Sequence, residues 1–237
     1  MTRKLTLIFS LLLSVNCFSG NQEEPDYLDL MDKCLYVEYA FAKMEVYKND
    51  KIIRYYDMES FRQGIKLRME FLAPANEKGR RMLSDDTNLW MYLPRTSKVM
   101  KLPLKQSFMG SDASNRDLMR MAYKKDYTIT QTTEKGSSLI ELKLKAKDAS
   151  VSYNTMTLTI DKKTLTPVKQ EMFSLSGKLI KTMTFENPVL VDGVYIPSTF
   201  VIIDELQRDT KTTLLYTQMK RKNDKPALFF TLAAIKK

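Results

Sequence analysis

Apolar residues recur at every second position over most of this chain. Ile140, Leu142, Leu144 and Ala146 alternate with Glu141, Lys143 and Lys145, the pattern of a strand with one buried and one wet face. Met156, Leu158 and Ile160 alternate with threonines in the same way. Runs over 36–46, 52–58 and 65–71 are separated by turn signals at Asn49-Asp50 and Gln63-Gly64. Further on, 168–173 and 179–185 flank Ser176-Gly177, 188–191 and 194–203 flank Asp192-Gly193, and 210–218 is the last clear run. Helical spacing is confined to short places: Leu28, Met31 and Leu35 behind a capping Asp26, then 114–121 and 226–234. About eleven strands without alternating helices predict a mainly β fold, an antiparallel sheet curled or closed on itself. With no repeat and no shift in composition, residues 27–237 read as one domain.

One stretch, 71–112, breaks the alternation. At its centre Leu89, Met91 and Leu93 occupy one strand face and Trp90 and Tyr92 the other, so both faces are apolar. A strand packed on both sides explains that pattern, and so does one lining an apolar cavity. Arg80, Arg81, Arg95, Lys98, Lys101 and Lys105 surround this centre. They form either a solvated face or a surface for phosphate head groups.

The N-terminus changes how the charge is read. Arg3 and Lys4 precede an apolar run over 5–15, the length of a secretory signal and too short to span a bilayer. Residues 1–16 are therefore expected to be a signal peptide. Cys17 closes the run as in a relaxed bacterial lipobox, which makes it the expected lipid-attachment site, with 17–26 as tether. Ordinary cleavage after Ser19 is the alternative. With Cys17 lipidated, Cys34 is a lone, buried thiol; with Cys17 unmodified and retained, a disulfide between the two is open. The net charge is +10. In an exported protein this favours a membrane surface and argues against nucleic acid.

The chain has no histidine and two cysteines, which excludes Ser-His-Asp and Cys-His catalysis and the usual structural zinc sites. Gly110-Ser111-Asp112 lacks the G-x-S-x-G elbow of a hydrolase. A Ser–Lys or paired-Asp mechanism stays open as the lesser reading. The acidic pair Asp85-Asp86 reads as a solvated turn. Fifteen methionines suit either ordinary core filling or the adaptable wall of a cavity.

Pro74, Gly79-Arg80, Leu83, Leu89-Trp90-Met91-Tyr92-Leu93-Pro94, Met109-Gly110-Ser111-Asp112 and Asp117-Leu118 follow one another in a specific order. Tyr153, Leu158, Ser176-Gly177-Lys178, Asp192-Gly193, Pro197 and Phe230-Thr231 continue it. Over nearly all of residues 27–237 this arrangement resembles the LolA-like outer-membrane lipoprotein-sorting family. The resemblance implies an unclosed β-barrel of eleven strands with short helices over its open side and a hollow that takes acyl chains. It implies no cofactor and no catalytic motif. Its expected partners are lipid or lipoprotein acyl chains, a membrane reached through the lipid anchor, and an RND-type export system. The expected acyl-contacting residues are Phe71, Leu83, Trp90, Tyr92 and Met109, with Arg80, Arg81, Arg95, Lys98 and Lys101 at head groups. The expected place is the periplasmic face of the envelope, with the outer membrane favoured. A non-catalytic scaffold lipoprotein beside an exporter is the alternative, and a lipid hydrolase the more distant one.

Overall fold

The computed structural model describes residues 25–119, 122–207 and 209–237. The expected signal peptide and Cys17 lie outside the described residues. Among those described, thirteen strands form one antiparallel sheet. Six make its first arm: β1 (Tyr39–Lys48), β2 (Lys51–Gln63), β3 (Lys66–Ala73), β4 (Arg81–Ser84), β5 (Leu89–Leu93) and β6 (Lys98–Lys101). Seven make its second: β7 (Tyr127–Lys135), β8 (Leu139–Ala146), β9 (Thr155–Asp161), β10 (Pro167–Phe173), β11 (Leu179–Val191), β12 (Val194–Asp204) and β13 (Thr210–Lys220). Every neighbour in the sheet is also a neighbour in sequence except β1 and β13, which join the two arms. The outer edges are then β6 and β7, which do not pair, so the barrel stays open. Residues 102–119 and 122–126 lie in sequence between these two edges.

Two more strands form than the alternation predicts. β4 and β6 are four residues each, too short to show a period. β7 is an edge strand whose only buried residue is Tyr127, so its Thr-rich run carries no apolar alternation. In the other direction, 179–185 and 188–191 merge into the single β11, which passes through Asn187 and Pro188 without a break.

Helix α1 (Tyr27–Cys34) forms where the spacing predicts it, and the Asp26 carboxylate accepts the Asp29 N–H at 3.1 Å. It turns Tyr27, Leu28, Met31 and Cys34 inward. Together with α2 (Asn115–Met119) and α3 (Tyr123–Asp126) it covers the concave face of the sheet. The main core lies between them and includes Met44, Met58, Phe71, Met82, Leu142, Met156 and Met172. A second, smaller core lies on the outer face of the first arm. There Phe61, Leu83 and Tyr92 are packed with Phe230 and Ile235 of the C-terminal segment, which holds two 3-10 turns, Ala227–Phe230 and Leu232–Ala234.

That second core explains the strand that is apolar on both sides. Leu89 and Met91 of β5 face the main core, whereas Trp90 and Tyr92 face the C-terminal segment. The segment is held by Arg68, whose side chain is 1% exposed. Its guanidinium donates to the main-chain oxygens of Phe229 (2.9 Å), Ala234 (3.1 Å) and Lys237 (3.1 Å), and it pairs with Glu70 at 2.7 Å.

Candidate functional site

Between the concave sheet and its helical cover the core is incomplete, leaving a cavity of about 120 Å³. Its walls come from both arms: Ala40, Ser60 and Met69 on one side, Met183, Phe185 and Leu214 on the other. Leu118, Met119 and Tyr123 roof it. Four methionines (Met69, Met119, Met183 and Met219) touch the space, and such unbranched side chains accommodate changes of shape.

A few polar bonds hold the roof down. The Arg62 guanidinium, at the end of β2, donates to the Met119 carbonyl. Asp32 of α1 accepts the N–H groups of Tyr123 (2.9 Å) and Lys124 (3.1 Å), tying α1 to the start of α3. Ser114 and Asp117 form a reciprocal cap for α2: the Ser114 N–H donates to the Asp117 carboxylate at 2.7 Å, and the Asp117 N–H donates to the Ser114 hydroxyl at 3.3 Å. The same carboxylate, fully buried, takes the Lys181 ammonium at 2.5 Å and the Tyr153 hydroxyl at 2.7 Å. Burial, with the Asp117 charge beside it, pushes the Tyr153 phenol far up, so it stays a donor. Tyr123 is likewise pushed up by burial and donates to the Gln170 side chain at 2.6 Å.

Next to the cavity is a groove of about 570 Å³, sharing Asp32, Tyr36 and Met119 with it. Its lining is charged with both signs. Lys33, Arg116, Lys124 and Arg221 supply cations, and Asp29, Asp85 and Asp86 supply anions. Lys125 of α3 pairs with Asp86 across it. An apolar pocket bordered by a charged groove is an arrangement for an amphiphile, with the chain inside and the head outside.

None of the five expected acyl-contacting residues lines this cavity. Phe71 is buried in the main core, its ring 6.3 Å from that of Phe108 and edge-on to Tyr56 at 5.8 Å. Leu83, Trp90 and Tyr92 belong to the outer core beneath the C-terminal segment. Met109 sits in the 107–114 loop, and its sulfur accepts from Arg80 at 3.1 Å. Of the expected head-group residues, Arg80 also pairs with Glu77 at 2.6 Å, and Arg81 donates to the Ile235 carbonyl at 3.4 Å. Arg95, Lys98 and Lys101 are exposed, on or just before the edge strand β6.

The Gly110-Ser111-Asp112 run is a clasp. The Asp112 carboxylate accepts the hydroxyls of Thr210 (2.6 Å) and Thr212 (2.7 Å), and the Thr212 oxygen in turn accepts the Asp112 N–H at 2.9 Å. The Ser111 hydroxyl donates to the Ala113 carbonyl at 3.3 Å and accepts the Ala113 N–H at 3.2 Å, spending itself inside its own loop. Gly110 has φ +73°, and a Cβ there would meet the Arg54 guanidinium at 2.6 Å. Among the described residues no group of three His, Cys, Asp or Glu side chains is placed to hold a metal, and no helix is long and apolar enough to cross a membrane.

Residues 64–237 match a family model described as "Uncharacterized protein". A LolA superfamily protein from Nitrosomonas europaea superposes with a TM-score of 0.74 at 25% identity, covering 87% of this chain and 96% of its own. The chain belongs to the family of that model, and its fold is LolA-like. The LolA-like fold recurs in a DUF1329 family protein from Desulfovibrio piger, with a TM-score of 0.75, 20% identity and 88% and 97% coverage. It recurs again in an outer membrane lipoprotein-sorting protein domain from Vibrio parahaemolyticus, with a TM-score of 0.73, 20% identity and 84% and 91% coverage. No curated protein sequence matches the chain.

For this LolA-like chain, the alternation shows which strand positions of β11–β13 face inward. It does not show that Met183, Phe185 and Leu214 border a void. Nor does any sequence signal pair Asp117 with Lys181, which lie 64 residues apart. Asp117 itself is legible as a cap three residues after Ser114.

Proposed function

We propose that this protein binds acyl chains of lipids or lipoproteins in the hollow of its open barrel and takes part in their transport or sorting towards the outer membrane. One observation carries the reading: a largely apolar cavity is left between the open sheet and its helical cover. Each methylene removed from water contributes about 0.8 kcal/mol, so even a short buried length of chain gives useful affinity. The structural likeness to a LolA superfamily protein and to a lipoprotein-sorting domain supports a carrier role. A place at the periplasmic face of the envelope follows from the same reading, with Cys17 as the lipidated anchor.

The direct test is extraction of lipid from purified protein, followed by displacement of a fluorescent fatty acid. Copurifying lipid and saturable displacement are expected; finding neither would sink the reading. For the anchor, an alkyne fatty acid should label the wild type and leave Cys17→Ser unlabelled, and persistent labelling of that variant would remove Cys17 as the attachment site.

A second reading, a protein-binding scaffold beside an RND-type exporter, is favoured by the size of the cavity. At about 120 Å³ it compares with the ~150 Å³ space that holds one benzene, well short of a whole acyl chain. Protein that carries no lipid yet copurifies with an export pump would move the assignment there.

A further inference from the structure

The sheet is not continuous around the cavity. β12 and β13 are eleven residues each, yet they pair only over Thr199–Ile202 and Thr212–Leu215. Beyond Thr199 opposite Leu215, β12 remains paired with β11 from Val194 onwards, and β13 remains paired with β1 as far as Lys220. The two strands part while each keeps its other partner, leaving a seam.

The sequence supplies reasons for the parting. Pro197 has no N–H to give the seam side, and it faces another proline, Pro188, on β11. On the opposite lip Gln218 takes φ +52°, and the β1–β13 register slips between Tyr39 and Phe41, the signs of a bulge that bends the strand away. The lips are apolar. Ile196, Pro197 and Phe200 on one side and Tyr216 and Met219 on the other all line the cavity. Just outside, Leu190, Tyr195 and Leu215 are exposed, Leu190 by 61%. Apolar side chains thus lie on the outer surface of the β11–β12 hairpin and along both lips of the cavity.

We propose that the seam between β12 and β13 is a lateral port through which an acyl chain passes into the cavity while its head group stays outside. This rests on the acyl-binding reading above and goes beyond it by assigning the route. It also resolves the size of the cavity. A volume of about 120 Å³ shelters only part of a chain, and the remainder lies along the seam against the apolar lips. Entry through the seam spares the roof bonds made by Arg62, Asp32 and Asp117. Entry by the charged groove would draw the chain past Lys33, Arg116 and Lys124.

The test is photolabelling of the full-length protein with phosphatidylglycerol vesicles carrying a diazirine at either end of one acyl chain, read by mass spectrometry of the cross-linked peptides. A parallel arm uses a diacylated lipopeptide with the same diazirines, to tell a membrane lipid from a lipoprotein as the source. The head-proximal diazirine is expected to mark Tyr195, Pro197 and Met219, and the terminal one Met69 and Phe185, in either arm. Head-proximal labelling at Lys33, Arg116 and Lys124, with the terminal label still inside, overturns the port and leaves acyl binding standing. No labelling in either arm overturns both. In Met219→Asp a carboxylate on the lip must be passed by an apolar chain, so terminal labelling of the cavity should fall about tenfold, with Met219→Leu near wild type. Wild-type labelling in a folded Met219→Asp protein also overturns the port.

Discussion

Arg68 shows how much one side chain can organise. On β3 its neighbours Leu67 and Met69 point into the main core, so Arg68 must point to the outer face, where an isolated guanidinium would be solvated. Here it is 1% exposed, its two terminal nitrogens engaged by three main-chain oxygens and Glu70 while Nε is buried without a partner, and it lies 3.9 Å from the centre of the Phe229 ring. Arg68→Ala would leave those oxygens without their donor and the Glu70 carboxylate with only Arg81, 3.8 Å away, at a cost of about 3 kcal/mol in urea denaturation. Because the C-terminal segment is what covers Trp90, the only tryptophan, its emission should shift to the red in the folded variant. An unshifted spectrum would show that the segment stays docked without the arginine. Nothing in the local pattern marks Arg68 as different from other lysines and arginines of the chain. Its main-chain partners are more than 160 residues away.

At the scale of elements, the 107–114 loop and helix α2 join the two arms of the open sheet. Arg54 on β2 donates to the Gly110 carbonyl at 3.1 Å, while Asp112 engages Thr210 and Thr212 on β13. Asp112→Ala strands two hydroxyls, one of them on the fully buried Thr212, and should destabilise by about 2 kcal/mol. For a chain of this size that corresponds to a melting temperature lower by roughly 4–8 °C. Gly110→Ala forces a left-handed alanine at a cost of about 1–2 kcal/mol, even where Arg54 swings aside. A calorimetric scan of both variants checks the clasp, and a melting point unchanged in Asp112→Ala would refute it. The order Met-Gly-Ser-Asp is thus a fastening of the fold, with the serine hydroxyl closed into its own turn.

For the molecule as a whole, the buried titratable groups set its behaviour in alkali. Burial pushes the Cys34 thiol up to about 12, and Tyr123, Tyr127 and Tyr153 are raised by burial as well. Above pH 9 the unfolded chain releases protons that the folded one keeps, so stability is intact below that point and falls as pH rises. Cys34 alone accounts for about 3 kcal/mol by pH 11. The urea midpoint should drop steadily from pH 9 to pH 11, and less steeply in Cys34→Ala. A flat midpoint over that range would mean these groups are not held neutral. Native Cys34 should correspondingly resist alkylation at pH 8 until the protein is unfolded.

The alternation of apolar and polar residues determined the sheet and its inward face, because a strand's period of two depends only on neighbours along the chain. It also determined helix α1 with its Asp26 cap, and the ordered motifs placed the chain among LolA-like proteins. Two matters lay beyond its reach. Whether the apolar outer face of β5 meets ligand or protein was decided by the C-terminal turns that fold back over Trp90 and Tyr92. Where the hollow lies was decided by how β11–β13 and α2 meet, since a void is set by the mismatch of surfaces distant in sequence. The same physics splits β12 from β13: Pro197 is visible in the sequence, but the cavity it opens onto exists only in the folded sheet.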